Sequence, residues 1–240
     1  MFTPLATALT DRQRIAEKTM EFILQRPTGF DYQAGQHVLL KLTELLFDDK
    51  KGPQRTLTLA SAPHEESLRL ATRMTGSGFK RTVFEGANQK VEIIGPRGNL
   101  TRDATRPAVF IAGGIGITPF RSMVLDAAYR QLEQPMTLFY SNQNLARAAF
   151  HELFVEIQQK HADIFTYIPT LTSESSGSNW DGERRSLSAA FIEEYVMDWS
   201  TSTFYICGPP AMVTAVHEIL KSKNVSQEHI LSESFWGYEA

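Results

Sequence analysis

Two hydrophobic rhythms run along this chain, and they meet near residue 105. Up to about residue 102 the apolar positions come in short runs, at 21–24, 37–40, 55–60, 68–71 and 91–94. Runs of this length bounded by turn residues predict β-strands. The punctuation between them, Pro27-Thr28-Gly29, Ala34-Gly35-Gln36, Gly52-Pro53 and Gly95-Pro96-Arg97-Gly98, suits chain reversals in a barrel or sandwich. One short helix is predicted over 78–84, with Thr75-Gly76-Ser77 supplying hydroxyls at its N-terminus.

After Thr105-Arg106-Pro107 strands alternate with helices, the pattern of a parallel sheet covered on both faces. Residues 108–112 read as a buried strand, followed by a glycine turn and a helix over 120–132. The alternation continues with strand 136–140, helix 147–160, strand 165–169 and a helix ending near 195 that Ser186 or Ser188 can cap. Strand 203–206, a helix opened by Pro210 and ending near 223, and a last strand at 230–231 complete it. The expected organisation is two domains, 1–104 and 105–240.

Composition narrows the function classes. A formal net charge of −3 without clustered Lys and Arg gives no footprint for nucleic acid or an anionic membrane. Cys207 is the one cysteine, so this chain alone builds no disulfide and no four-cysteine zinc or iron-sulfur site; no metal is expected. Asp11, Arg12, Arg14, Glu17 and Lys18 precede any long apolar run, unlike a secretory signal. No segment reaches the roughly 18 apolar residues of a membrane span. The expectation is a cytoplasmic protein without membrane insertion.

Two motifs carry candidate chemistry. Gly113-Gly114-Ile115-Gly116-Ile117-Thr118-Pro119-Phe120 follows the first strand of the second half, where glycines admit a ligand to the backbone and the next helix presents unpaired N–H groups to phosphate. Cys207-Gly208-Pro209-Pro210-Ala211-Met212 also ends a strand, where open α/β sheets bind ligands. Taken singly, the first is a packing turn and Cys207 a small buried hydrophobe. Taken together, they predict one dinucleotide crevice.

Arg55-Thr56-Leu57-Thr58, Thr75-Gly76-Ser77, Gly95-Pro96-Arg97-Gly98 and these two motifs occur in the order found in ferredoxin-NADP reductase-like proteins, which the chain resembles over residues 10 to 238. The resemblance implies a six-stranded antiparallel flavin-binding barrel followed by a nicotinamide-nucleotide-binding α/β domain. It implies FAD rather than FMN, with NADPH or NADH as hydride donor. Arg55 would contact flavin phosphate, with Thr56 beside it, and Thr58 would lie near flavin N5. Leu57 replaces the family's usual Tyr, so aliphatic contact replaces stacking. Thr75, Gly76 and Ser77 would form a second phosphate-binding turn. Gly114, Gly116, Thr118, Gly208 and Pro209 would line the nucleotide, with Cys207 near the nicotinamide as a positioner. Glu233 and Phe235, in Glu233-Ser234-Phe235-Trp236-Gly237-Tyr238, would approach the flavin ring. Thr58, Cys207 and Glu233 are thus the expected catalytic set.

For the adenosine side, Ser141, Asn142 and Arg147 could receive a 2′-phosphate, and Arg184 and Arg185 lie beside Trp180-Asp181-Gly182, while Glu174 stands where some NADPH users carry arginine. The balance favours NADPH or dual use. The implied activity passes electrons to an external acceptor, a small redox protein such as ferredoxin or flavodoxin, or an oxygenase component. The alternatives are a non-catalytic flavin- or nucleotide-binding module and the flavin subunit of a larger dehydrogenase complex.

Overall fold

The computed structural model describes residues 3–86, 89–173 and 179–236. Six strands form the first sheet: β1 (Leu5–Ala16), β2 (Thr19–Gln25), β3 (His37–Leu42), β4 (Gln54–Thr58), β5 (Ser67–Arg73) and β6 (Lys90–Arg97). All pairings are antiparallel, in the order β4-β3-β6-β1-β2-β5. A Leu59–Leu70 bridge and an Ala60 N–H donating to the Arg69 carbonyl at 2.7 Å join the two ends into a barrel. Alternation along β3 turns Val38, Leu40 and Leu42 inward to meet Phe22, Leu24, Leu57, Leu68 and Ile93. Helix α1 (Gly78–Glu85) seats Phe79 and Val83 in the same core, and the Ser77 hydroxyl caps it by accepting from the Lys80 amide.

The second sheet is wholly parallel, with β7 (Ala108–Gly113), β8 (Met136–Asn142), β9 (Phe165–Leu171), β10 (Thr203–Gly208) and β11 (Ile230–Ser234) in the order β11-β10-β7-β8-β9. Both faces are covered. Phe110, Leu138, Tyr140, Tyr205 and Cys207 pack with α2 (Thr118–Tyr129) and α3 (His151–Lys160) on one side. Val109, Ile111, Phe139, Phe204 and Ile206 pack with α4 (Ala189–Glu193) and α5 (Pro210–Ser222) on the other. This is why these strands read as continuous apolar runs. No helix among the described residues is long and apolar enough to cross a membrane.

The halves are bolted together by α2. The Arg121 guanidinium, 7% exposed, donates to the Ala60 carbonyl at 2.6 Å and to Glu65 at 2.8 and 3.2 Å, and the Ser122 hydroxyl donates to the Ser61 carbonyl at 2.6 Å. Burial pushes the Glu65 carboxyl pKa up, but Arg121 outweighs it and holds the pKa below its ordinary value. Arg121→Ala removes the strongest partner of that carboxylate, leaving it the Ala62 amide at 2.6 Å and Arg69 at 3.4 Å, and takes a donor from the Ala60 carbonyl at the seam. It is expected to lower unfolding free energy by about 3 kcal/mol, near the low end for a broken buried pair because Glu65 is partly exposed. Urea denaturation of the two proteins measures it.

Candidate functional site

The parallel sheet changes winding direction between β7 and β10, and in such sheets the crevice beyond the strand ends at that point receives ligands. The two turns there are packed against each other. A Cβ at Gly116 would lie 2.1 Å from the Cys207 carbonyl oxygen, and one at Gly113 would lie 2.6 Å from Met212 Sδ and 2.8 Å from Pro209. Gly114 has φ +52, a left-handed conformation that favours glycine. After it a 3-10 turn, Gly114–Ile117, feeds α2, with Pro119 in the first helical turn.

A cavity of about 670 Å³ lies where the barrel meets this crevice, within the size range of cofactor sites. Arg55, Thr56, Leu57 and Thr58 of β4 form one wall; Thr75, Gly76 and Ser77 with the start of α1 form another; Thr118, Glu233 and Phe235 come from the second half. Gly76 has φ +74 and open space where a Cβ would stand. The start of α1 is already engaged: the Phe79 amide donates to Asp49 Oδ2 at 2.8 Å and the Lys80 amide to Ser77 Oγ at 3.4 Å, and a Cβ at Gly78 would lie 2.2 Å from the Asp48 carbonyl oxygen. Helix N-termini favour anions through their dipole. Lys80, 7% exposed, lines the same cavity and donates from Nζ to the Arg73 carbonyl at 2.6 Å and to Thr75 Oγ1 at 3.2 Å. Burial, then the charges of Arg55 and Lys51, pull its pKa down to about 8. A cation held in that environment suits a diphosphate.

Arg55 reaches the cavity already engaged. Its guanidinium pairs with Asp49 at 2.6 Å, donates to the carbonyls of Gly52 at 3.0 Å and Gln54 at 2.6 Å, and lies 4.9 Å from the centre of the Phe79 ring. Burial would raise the Asp49 pKa, but the Phe79 amide and Arg55 together hold it near 2. The arginine is therefore a fixed part of the wall with its charge shared.

At the opposite end, His37 stands in register with Thr58, and its Nδ1 is 3.8 Å from Glu233 Oε1. The Phe235 amide donates to the Gly208 carbonyl at 2.9 Å, which holds the C-terminal segment across the sheet's switch point.

A second cavity, about 490 Å³, follows the strand ends onward and is lined by Gly114, Ser141, Asn142, Arg147, Gly208 and Pro209, with Lys18 and Arg73 entering from the barrel. The two cavities share Thr75, Ile115 and Phe235. A flavin on the barrel and a nucleotide on the sheet would therefore have a common boundary.

The structure brings most of the sequence-derived site residues to these cavities, but not Gly116, Cys207, Arg184 or Arg185. Gly116 lines neither; its lack of a side chain lets the turn sit on the Cys207 carbonyl. Cys207 also lines neither, because alternation along β10 turns its side chain into the core, where it is fully buried and burial raises the thiol pKa well above its ordinary range. Arg184 and Arg185 are also absent from the linings: Arg185 is gripped by Glu183 and Glu194 over the Phe191 ring, and Arg184 donates to the Trp180 carbonyl. Glu174, Gly237 and Tyr238 lie outside the described residues. Sequence reasoning missed His37, Lys80, Lys18 and Arg73. Lys80 alone had a local signal, a cation within the first turn of a helix that follows a glycine turn.

A family model described as an oxidoreductase NAD-binding domain matches residues 110–218. The reductase component DmpP of phenol 2-monooxygenase from Pseudomonas sp. (strain CF600) is 30% identical over 226 residues, covering 91% of this chain and 61% of that protein. A subunit of the Na(+)-translocating NADH-quinone reductase of Serratia proteamaculans (strain 568) is 31% identical over 156 residues, 63% of this chain and 38% of that one. The chain thus spans less than two thirds of each relative's length. Among solved structures, Amycolatopsis cytochrome P450 reductase GcoB superposes with a TM-score of 0.80 at 24% identity, over 98% of this chain and 71% of that one. A ferredoxin NADP+ reductase from Neisseria gonorrhoeae with bound FAD and NADP gives 0.79 at 18% identity, over 96% and 98%. With the barrel, the parallel sheet and the matched nucleotide-binding segment in agreement, the chain carries an oxidoreductase NAD-binding domain and has the two-domain fold of the ferredoxin-NADP reductase-like proteins.

Proposed function

We propose that this chain takes hydride from NAD(P)H onto FAD and passes the electrons to an external protein acceptor. The observation that supports this most directly is the shared boundary of the two cavities at Thr75, Ile115 and Phe235. The flavin, when bound, supplies hydride acceptance and stepwise electron release. The protein's share is placement, because the reacting atoms must approach to about 3 to 3.5 Å.

In this reading Thr75, Gly76, Ser77 and Lys80 hold the flavin diphosphate, assisted by Arg55, and Thr56, Leu57 and Thr58 form the wall along the ring. Gly114, Thr118, Gly208 and Pro209 receive the nucleotide. Ile115, Leu57 and Phe235 exclude water where the cavities meet. Thr58, His37 and Glu233 form the polar end, able to hold a proton beside the ring. Cys207 acts through its carbonyl as a positioning residue for the Gly116 turn. An oxygenase component is the favoured acceptor, supported by the relative named as a phenol 2-monooxygenase reductase component. Trp236, 74% exposed at the first cavity, offers it an apolar contact. The domain division at residue 104 remains part of the same proposal.

Anaerobic titration of the purified protein tests the activity. One equivalent of NADH or NADPH is expected to bleach the flavin absorbance fully. A bound flavin that stays oxidised with both nucleotides would leave a binding module and end the proposal.

A further inference from the structure

We infer that Glu17, at the tip of the β1–β2 hairpin, makes the second cavity select the dinucleotide without a 2′-phosphate, NADH over NADPH. This rests on reading that cavity as the nicotinamide-nucleotide site. Sheet order gives the cavity a direction. Its near end, at β7, β10 and the close of β11, shares Ile115 and Phe235 with the flavin cavity, while its far end lies beyond β8 and β9 at Ser141, Asn142, Gln143 and Thr172. A nucleotide with its nicotinamide at the near end has its adenosine ribose at the far end.

The lining cation on the far side is Arg147, and it is already claimed. Its Nε stands 3.5 Å from Glu17 Oε2, and its Nη1 donates to Gln143 Oε1. The hairpin that carries Glu17 is fixed in place: the Glu17 amide donates to the Ala146 carbonyl at 2.6 Å, and Ile15 and Ala16 pack against the core of the second half. Of the two lining cations from the barrel, Arg73 is the nearer to the flavin, its Nη2 2.9 Å from where a Gly114 Cβ would stand, and it suits the pyrophosphate. Lys18 follows Glu17 in the hairpin turn, where its carbonyl accepts from the Met74 amide at 2.7 Å. A 2′-phosphate, carrying about −1.5 to −2 charges near neutrality, would meet the Glu17 carboxylate and compete with it for Arg147. A ribose bearing free hydroxyls meets no such repulsion, and a built-in repulsive element is one way a site gains specificity.

Glu17→Gln keeps the side chain's shape and removes its charge. The ratio of kcat/KM for NADPH to that for NADH, followed by flavin bleaching, is expected to rise about fivefold, modest because the pair is partly exposed and screened. The gain should appear in KM rather than kcat. A titration independent of turnover uses 5′-AMP and adenosine 2′,5′-bisphosphate: the wild-type protein is expected to bind the bisphosphate no tighter than AMP, and the variant about fivefold tighter than wild type does. A wild-type protein that binds the bisphosphate ten times more tightly than AMP overturns the inference, as does a nucleotide ratio that Glu17→Gln leaves unmoved. If neither nucleotide bleaches the wild-type flavin, the reductase reading fails, and the fragment titration still decides the role of Glu17.

Discussion

Lys80→Met is expected to weaken flavin binding by about 100-fold, the loss of one or two charge-assisted hydrogen bonds to a diphosphate. The expectation follows from an imbalance in the site: a buried amine is held against its own desolvation, with its pKa drawn from an ordinary 10.5 to about 8. An anion bound beside it reverses that draw. In the wild-type protein, flavin affinity should be flat below about pH 8, where the amine is charged with or without cofactor, and should fall as pH rises further. The variant should lack that alkaline limb. Folding stability of the flavin-free protein moves the opposite way. Between about 8 and 10.5 the unfolded chain binds the Lys80 proton and the folded chain does not, so stability contributed by this group rises across that window. Fluorescence titration of deflavinated protein at a series of pH values measures the affinity, and urea melts measure the stability. Equal affinities for wild type and variant at pH 7 would show that the diphosphate lies away from Lys80.

What the sequence disclosed follows from how locally each feature is encoded. The buried strands β7 and β10 were legible because a sheet covered on both faces needs an unbroken apolar run. Helix α1 was legible because Ser77 caps it. By contrast, β1 was missed: its first part pairs with β6 and its second with β2, and across its 12 residues Leu9 is the one position classed as buried, so no alternation survives. The helix expected from 147 begins at His151 instead, because Asn144 caps a short 3-10 turn and Phe150 takes a left-handed φ of 61. At the site, glycine turns announced themselves through backbone need. Lys18, Arg73 and His37 did not, since their importance comes from barrel positions that face the other half of the molecule. Cys207 was placed at the nicotinamide by resemblance, but period-two alternation assigns its side chain to the face of Tyr205, inside the core. Arg147 lines the second cavity, and its partner Glu17 was invisible because 130 residues of chain separate them.

Gly116→Ala is expected to slow flavin reduction by NAD(P)H at least about 100-fold while leaving flavin on the barrel, because an ångström of misplacement between reacting atoms costs on that order. The added methyl would stand 2.1 Å from the Cys207 oxygen, 2.4 Å from its carbonyl carbon and 2.7 Å from the Gly208 nitrogen. None of these can yield alone, since β10 is hydrogen-bonded on one side to β7 and on the other to β11. The turn must therefore lift off the strand end, carrying with it Gly114 and Ile115, which line the second cavity, and Thr118, which lines the first. Gly29→Ala separates this effect from ordinary glycine strain: Gly29 has φ +74 with nothing within 4 Å of its missing Cβ, so the change costs about 1 kcal/mol in backbone strain and should leave reduction at the wild-type rate. Stopped-flow absorbance of the flavin band compares the three proteins. If Gly116→Ala reduces its flavin as fast as wild type, the two turns do not set the approach of donor to acceptor, and the nucleotide must enter elsewhere.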